Sequence, residues 1–111
     1  MPVLDVEQLK NITMDDADLM REILDSLISD TSRQLCALER ALGAADATET
    51  MRLAHYSKGA CANVGATSTA RILQDIEKKA KSGDLQSCGA ALVSLQEEFQ
   101  KLQAEAANLT V

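Results

Sequence analysis

The sequence contains no Trp, and Tyr56 and Phe99 are its only Tyr and Phe. Its core must therefore be aliphatic. Proline occurs once, at Pro2, so no later segment carries a proline break. Basic residues are fewer than acidic ones, 11 against 17, which leaves a net charge of −6. That balance argues against nucleic acid, whose phosphates need a basic surface. The three cysteines, Cys36, Cys61 and Cys88, are odd in number and widely spaced with no C-x-x-C pair. A zinc site and a disulfide framework are both disfavoured by that spacing, and reduced core cysteines are expected. No basic stretch followed by an apolar run opens the chain, and no apolar run approaches membrane-spanning length. A cytoplasmic protein is the expectation, without a membrane partner.

What is abundant is Ala and Leu, both strong helix formers. At 111 residues the chain fits one domain over 1–111, able to bury roughly two-thirds of its unfolded surface. No internal repeat or low-complexity linker divides it. A short first helix is signalled by Asp5 and Gln8, a capping box, with Leu4 stapling onto Leu9. A long helix starts near Asp15 or Asp16, its inward positions Met20, Leu24, Leu27, Thr31, Leu35, Leu38 and Leu42 stepping by three and four. Gly43 is expected to end it in a left-handed turn. Asp46 with Glu49 reads as a second capping box, opening a helix that reaches about Val64 and breaks at Gly65. A fourth helix spans about Ser68 to Ser82 with Ile72, Leu73, Ile76 and Ala80 inward, and Gly83-Asp84 is a stop and a start together. The last helix aligns Leu85, Cys88, Leu92, Leu95, Phe99, Leu102 and Ala106. So regular a seam also suits a coiled coil, but with partner helices in the same chain an intramolecular bundle is favoured. The expected fold is all-α: an antiparallel four-helix bundle (15–109) behind a short N-terminal cap segment (1–14). A monomer is expected.

The third helix carries the only histidine. At about 100° per residue, Leu53, Ser57, Ala60, Cys61 and Val64 form its inward stripe. His55 falls opposite, among Met51, Lys58, Gly59 and Ala62. A lone helical histidine is more often structural than functional, but three features point the other way here. Lys58, one turn on, can donate to an anion held at the imidazole. Gly59 sits mid-helix at a cost of about 1 kcal/mol against Ala, and its missing side chain lets another molecule approach. Met51 and Ala62 add apolar surface to a face that would be polar if it met only water. The charge distribution is also uneven. Arg52, Lys58, Arg71, Lys78, Lys79 and Lys81 against Asp75 and Glu77 make the segment 52–81 net +4, and the remainder −10. A basic island around the only histidine suits an anionic group, although solvated faces also scatter charge by chance. Neutral imidazole is a competent nucleophile near neutral pH, and phosphoryl transfer asks mainly for placement and charge compensation. No hydrolytic triad can be assembled, and one histidine makes a poor metal site, so no cofactor or metal is expected.

Ala54-His55-Tyr56-Ser57-Lys58-Gly59, followed by Asn63-Val64-Gly65-Ala66, resembles the signature of histidine phosphotransfer (HPt) domains of multistep phosphorelays. The run from Ile72-Leu73 to Ile76-Glu77 and the break at Lys81-Ser82-Gly83-Asp84 are similar too. The likeness extends from about Asp15 to Leu102. It implies that His55 accepts a phosphoryl group from a receiver-domain aspartate or a kinase and passes it on. It also implies that Lys58 stabilises the phosphoryl group, that Gly59 clears space for the receiver, and that Lys81 supplies a second cation. By the same likeness Glu77 accepts from Nδ1–H of His55 and leaves Nε2 as the nucleophile, although an ordinary solvated side chain would also fit that position. Implied partners are receiver domains of response regulators and hybrid sensor histidine kinases. One departure is Ser57, where the family pattern has Leu. Its inward position makes this a matter of packing: it loosens the bundle beneath the site, or a larger residue on a facing helix fills the space. The chain is too short for an ATP-binding domain, so a phosphocarrier rather than a kinase is expected. A helical adaptor that binds partners through the same face, without using His55 chemically, is the competing reading. The initial Met1 and the capped first helix fit a free-standing protein or a cleanly cut domain.

Overall fold

Four aspartates start four of the five helices. In the computed structural model, which describes residues 4–109, the helices are α1 (Val6–Thr13), α2 (Ala17–Gly43), α3 (Ala47–Asn63), α4 (Thr67–Lys81) and α5 (Leu85–Asn108). The carboxylates of Asp5, Asp16, Asp46 and Asp84 accept from the backbone N–H of Gln8, Leu19, Glu49 and Ser87 at 3.1, 3.0, 3.0 and 3.2 Å. Each cap of this kind stabilises a helix start by about 1 kcal/mol. The expected capping boxes are only half made. Gln8 turns its amide away to the carbonyls of Ala62 and Asn63, and Glu49 pairs with Arg52. α4 begins after Ala66 with no side-chain cap, but Ser68 Oγ donates to Glu98 of α5 at 2.8 Å.

The four inter-helix turns share one hydrogen-bond pattern. The N–H groups of Asp15, Asp46, Ala66 and Asp84 reach back five residues to the carbonyls of Lys10, Ala41, Cys61 and Lys79, each at 2.9 Å. This is the Schellman closure, and it needs a left-handed residue just before the donor. Gly65 (φ +90°) and Gly83 (φ +83°) supply it at two turns. At the α2–α3 turn the left-handed residue is Ala45 (φ 55°), and Gly43 is the last residue of the helix. The expectation that Gly43 takes the left-handed position is therefore corrected: α2 runs further, and the residue that precedes the Asp46 cap must reverse the chain. Met14 (φ 53°) does the same after α1.

Short turns make consecutive helices antiparallel. α2 packs on α3, α3 on α4, α4 on α5, and α5 returns to α2, which closes the bundle. With 27 residues α2 is about 40 Å long, close to the 42 Å long axis of the molecule. Arg21 ties the closure by donating to the carbonyls of Ala106 and Leu109, both at 3.1 Å, at the end of α5. The core is aliphatic apart from Phe99, with Leu24, Leu38, Leu73, Ile76, Leu95 and Leu102 almost fully enclosed. Five expected inward positions differ. Ala41 rather than Leu42 closes the α2 stripe, while Ile72, Ala60, Val64 and Leu85 are only half-buried. Cys61 and Cys88 are buried, and burial pushes the Cys61 thiol up to about 11. Cys36, expected in the core, is exposed, because it lies one residue past Leu35 on the outer side of α2. All three are free thiols. No described helix is long and apolar enough to cross a membrane.

Candidate functional site

α3 meets α4 more extensively than any other helix pair meets. The contact is built from small side chains, with Ala54, Ser57 and Cys61 on α3 and Thr69, Ala70 and Ala80 on α4 all buried. Close approach brings Glu77 of α4 to the outer edge of α3, where His55 and Lys58 lie one turn apart. Glu77 Oε2 is 2.7 Å from His55 Nδ1, and Lys58 Nζ donates to Glu77 Oε1 at 2.7 Å. One carboxylate thus holds both side chains.

The exposures separate their roles. The His55 side chain is 68% exposed, against 28% for Lys58 and 19% for Glu77. The Lys58 ammonium, and secondarily the His55 hydrogen bond, hold the Glu77 carboxyl below its usual range, so it is ionised at neutral pH. An ionised carboxylate only accepts. The proton of the His55–Glu77 hydrogen bond therefore sits on Nδ1, with Nε2 on the side of the ring away from Glu77.

Of the other residues singled out in the sequence, Gly59 is exposed, and a Cβ built on it would meet nothing within 4 Å. Ala62 is exposed, while Met51 is half-buried against the core, so only part of its apolar surface faces outward. Lys81 lies one turn beyond Glu77 on α4, exposed and without an ion pair among the described residues. Three of the six cations in the basic segment are neutralised locally: Arg52 by Glu49, Lys58 by Glu77 and Lys79 by Asp75. Arg71, Lys78 and Lys81 are the remainder, all on α4. Ser57 is buried, 3% exposed, and its hydroxyl has no hydrogen-bond partner among the described residues.

Two features were not anticipated from the sequence. α1 clamps the end of the histidine helix: Gln8 Nε2 donates to Ala62 O at 2.8 Å, and Asp5 N donates to Gly65 O at 2.8 Å. Gln8 read as a capping-box residue, and no local signal separates the two uses of its amide. Secondly, an open groove of about 780 Å³ runs between α2 and the end of α3, with Glu22, Asp25 and Asp30 beside Ile23, Leu27 and Val64. None of the sequence-predicted site residues lines it. Among the described residues no group of three or more His, Cys, Asp or Glu is placed to hold a metal ion.

A family model for the Hpt domain matches residues 22–105. Among solved structures, histidine-containing phosphotransfer protein B (HptB) from Pseudomonas aeruginosa PAO1 aligns with a TM-score of 0.88 and 28% identity, over 98% of each chain. The HPT domain of a sensor hybrid histidine kinase from Shewanella shares the fold, with a TM-score of 0.79 at 20% identity, over 98% of this chain and 97% of that one. No curated protein matches in sequence. With the family match spanning most of the bundle, including His55, Lys58 and Glu77, the chain belongs to the Hpt domain family.

Proposed function

We propose that this protein is a phosphocarrier that accepts a phosphoryl group on Nε2 of His55 and relays it to or from the aspartate of a receiver domain. The observation that carries this reading is the pairing of an exposed imidazole with a half-buried, ionised carboxylate on its Nδ1. Glu77 fixes the ring's tautomer and rotation, which removes orientational freedom before any partner arrives. The Lys58 ammonium has three donors, one of which is spent on Glu77 Oε1. The other two are free for phosphoryl oxygens, and Lys81 adds a second cation from α4. Charge compensation of this kind is the main demand that phosphoryl transfer places on a protein.

Docking is assigned to the face around Gly59 and Ala62, with the exposed part of Met51. Gly59 contributes nothing to packing, since the space over it is empty. A glycine that the fold does not need, one turn from the nucleophile, suits a surface laid against another domain. The partners proposed are receiver domains of response regulators or of hybrid sensor kinases, met by a monomer in the cytoplasm. HptB is named as a histidine-containing phosphotransfer protein, and the Shewanella relative is part of a sensor hybrid histidine kinase.

The test is phosphotransfer from 32P-labelled receiver domains of the same organism to wild type and to His55→Gln. Wild type should acquire an acid-labile, base-stable label, and the variant none. Because His55 is exposed, the variant should keep wild-type helicity and melting within about 0.5 kcal/mol. A His55→Gln chain that still becomes labelled would move the site elsewhere, and a chain that binds receivers but never labels would be an adaptor.

A further inference from the structure

Of the four cations on α4, Lys79 is neutralised by Asp75. Arg71, Lys78 and Lys81 are exposed and make no ion pair among the described residues. Steps of seven and three residues put these three on one face of the helix, in a line of about 15 Å. The line straddles the level of the site. Arg71 stands about 9 Å before Glu77 along the axis, Lys78 directly follows it, and Lys81 lies about 6 Å beyond. Lys78 and Lys81 belong to the last turn of α4, where cations complement the helix dipole. Arg71, in the second turn, gains nothing from that dipole. Arg71 and Lys78 bond neither to His55 nor to Lys58 or Glu77, and the phosphocarrier chemistry uses neither.

Resting on the phosphocarrier reading above, we propose that the outer face of α4 is an encounter surface, on which Arg71, Lys78 and Lys81 select receiver domains that carry an acidic patch beside the phosphorylated aspartate. Arg71, Lys78, Lys79 and Lys81 against Asp75 and Glu77 give α4 a net +2, which leaves −8 on the rest of the chain. The remaining surface therefore repels an acidic partner, while α4 attracts it. Such a field raises the rate of encounter and orients the approach without adding contacts to the docked complex. At physiological ionic strength the Debye length is about 8 Å. Cations within about 9 Å of the level of Glu77 thus act on a partner as it reaches the site.

The sign and the length of the line fix the occupant. A nucleic acid or an anionic membrane spreads its charge over far more than about 15 Å of surface. Either would also meet the exposed acids that bound the line, which are Asp75 on α4 itself, Asp84 beyond its end and Glu97 on α5. An acidic patch on a folded protein, no longer than the line, avoids them. A phosphoryl group on a side chain carries a charge on the order of −2 at neutral pH, so the cargo adds to the patch that is recognised. Arg71 and Lys78 act before the reacting atoms meet and are specificity residues.

The experiment measures second-order transfer rates from 32P-labelled receiver domains, one acidic and one of neutral surface, to the full chain as salt is raised. Wild type is compared with the double variant Arg71→Gln/Lys78→Gln. A control double, Lys10→Gln/Lys101→Gln, removes the same charge from α1 and α5. With the acidic receiver the α4 double should lose about tenfold at low salt, the low end of the range for steering. That loss should shrink towards twofold at about 0.15 M, where the Debye length is short. The control double, and the neutral receiver with either variant, should stay within twofold of wild type. Phosphoramidate, a small donor with no docking requirement, should label all three chains at similar rates. Equal losses in the two doubles would overturn the proposal, because net charge alone would then explain them. So would equal losses with both receivers, or a loss that salt does not reduce. Binding of wild type to phosphatidylserine vesicles, abolished in the α4 double, would overturn the choice of an acidic protein as the occupant. Unchanged rates in the α4 double, with wild type exchanging normally, would sink the encounter surface alone. Phosphoramidate labelling without exchange with any receiver would sink the relay reading and the encounter surface with it.

Discussion

Replacing Gly59 by Gln separates docking from chemistry at this site. Gly59 is helical, exposed, and surrounded by empty space out to 4 Å from a Cβ. The substitution therefore creates no clash within the fold. It should favour the helix by about 0.5 kcal/mol, since Gly is the poorer helix former. His55, Lys58 and Glu77 keep their hydrogen bonds, so the rate of labelling by phosphoramidate should stay within about twofold. That small donor needs no more than the nucleophile itself. A receiver domain has to lie across the face, and the new side chain rises one turn from Nε2, on the same side of α3. Holding the reacting atoms even 1 Å too far apart can cost about a hundredfold in rate. Receiver-dependent transfer should therefore fall by about two orders of magnitude while small-donor labelling survives. The assay is the ratio of the two rates in wild type and variant, measured on the same preparations. Equal losses in both would mean that Gly59 supports the site itself. No loss in either would place docking on another face, with the α2–α3 groove as the next surface to probe.

Lys58→Ala should lower the transfer rate without abolishing labelling, because the ammonium compensates charge and forms no bond to phosphorus; an unchanged rate at both low and moderate salt would refute its role. Gly65→Ala should destabilise the chain by about 1–3 kcal/mol more than Gly83→Ala in denaturant titrations. Both residues have positive φ, but only at Gly65 would the added Cβ lie 2.7 Å from a backbone atom, Asp5 O. Equal losses would mean that α1 yields without cost. Glu77 also links stability to pH: its carboxyl titrates lower in the folded chain than in the unfolded one. The stability it contributes is complete above the unfolded value of about 4.3 and is lost as pH falls through the folded value. Glu77→Gln should flatten that acid limb, and an unaltered limb would show that the ion pair contributes nothing to folding.

The starts of the helices were legible because Asp caps act locally, through a bond to an N–H three residues on. Gly65 and Gly83 were legible for the same reason, since a turn that needs positive φ selects glycine. Ala45 was not, because nothing local distinguishes it from its neighbours once α2 extends through Gly43. Ala41 displaced Leu42 from the inward stripe because over 27 residues a pattern read as threes and fours drifts from the true period. At the site, periodicity alone turned His55 outward. The Glu77 contact spans 22 residues and two helices. It follows from how closely the small faces of α3 and α4 pack, which spacing along the chain does not encode, and only the family resemblance pointed to it. The unpartnered hydroxyl of Ser57 lies in that same packed region.

The hydrogen bonds from α1 to the end of α3 have a consequence for where this domain can be cut. The last carbonyls of a helix have no partner within it; Gln8, more than fifty residues earlier in the chain, donates to those of Ala62 and Asn63, and Ala62 O also accepts from Gly65 N. The family signature begins at residue 22. A fragment started there would lose Gln8, the buried Leu4, Leu9 and Met20, and the Arg21 bonds to the end of α5. It would retain every residue proposed to act on phosphate and still fray at the helix that presents His55. Excision and fusion designs that use this domain as a phosphorelay module should therefore begin no later than Leu4.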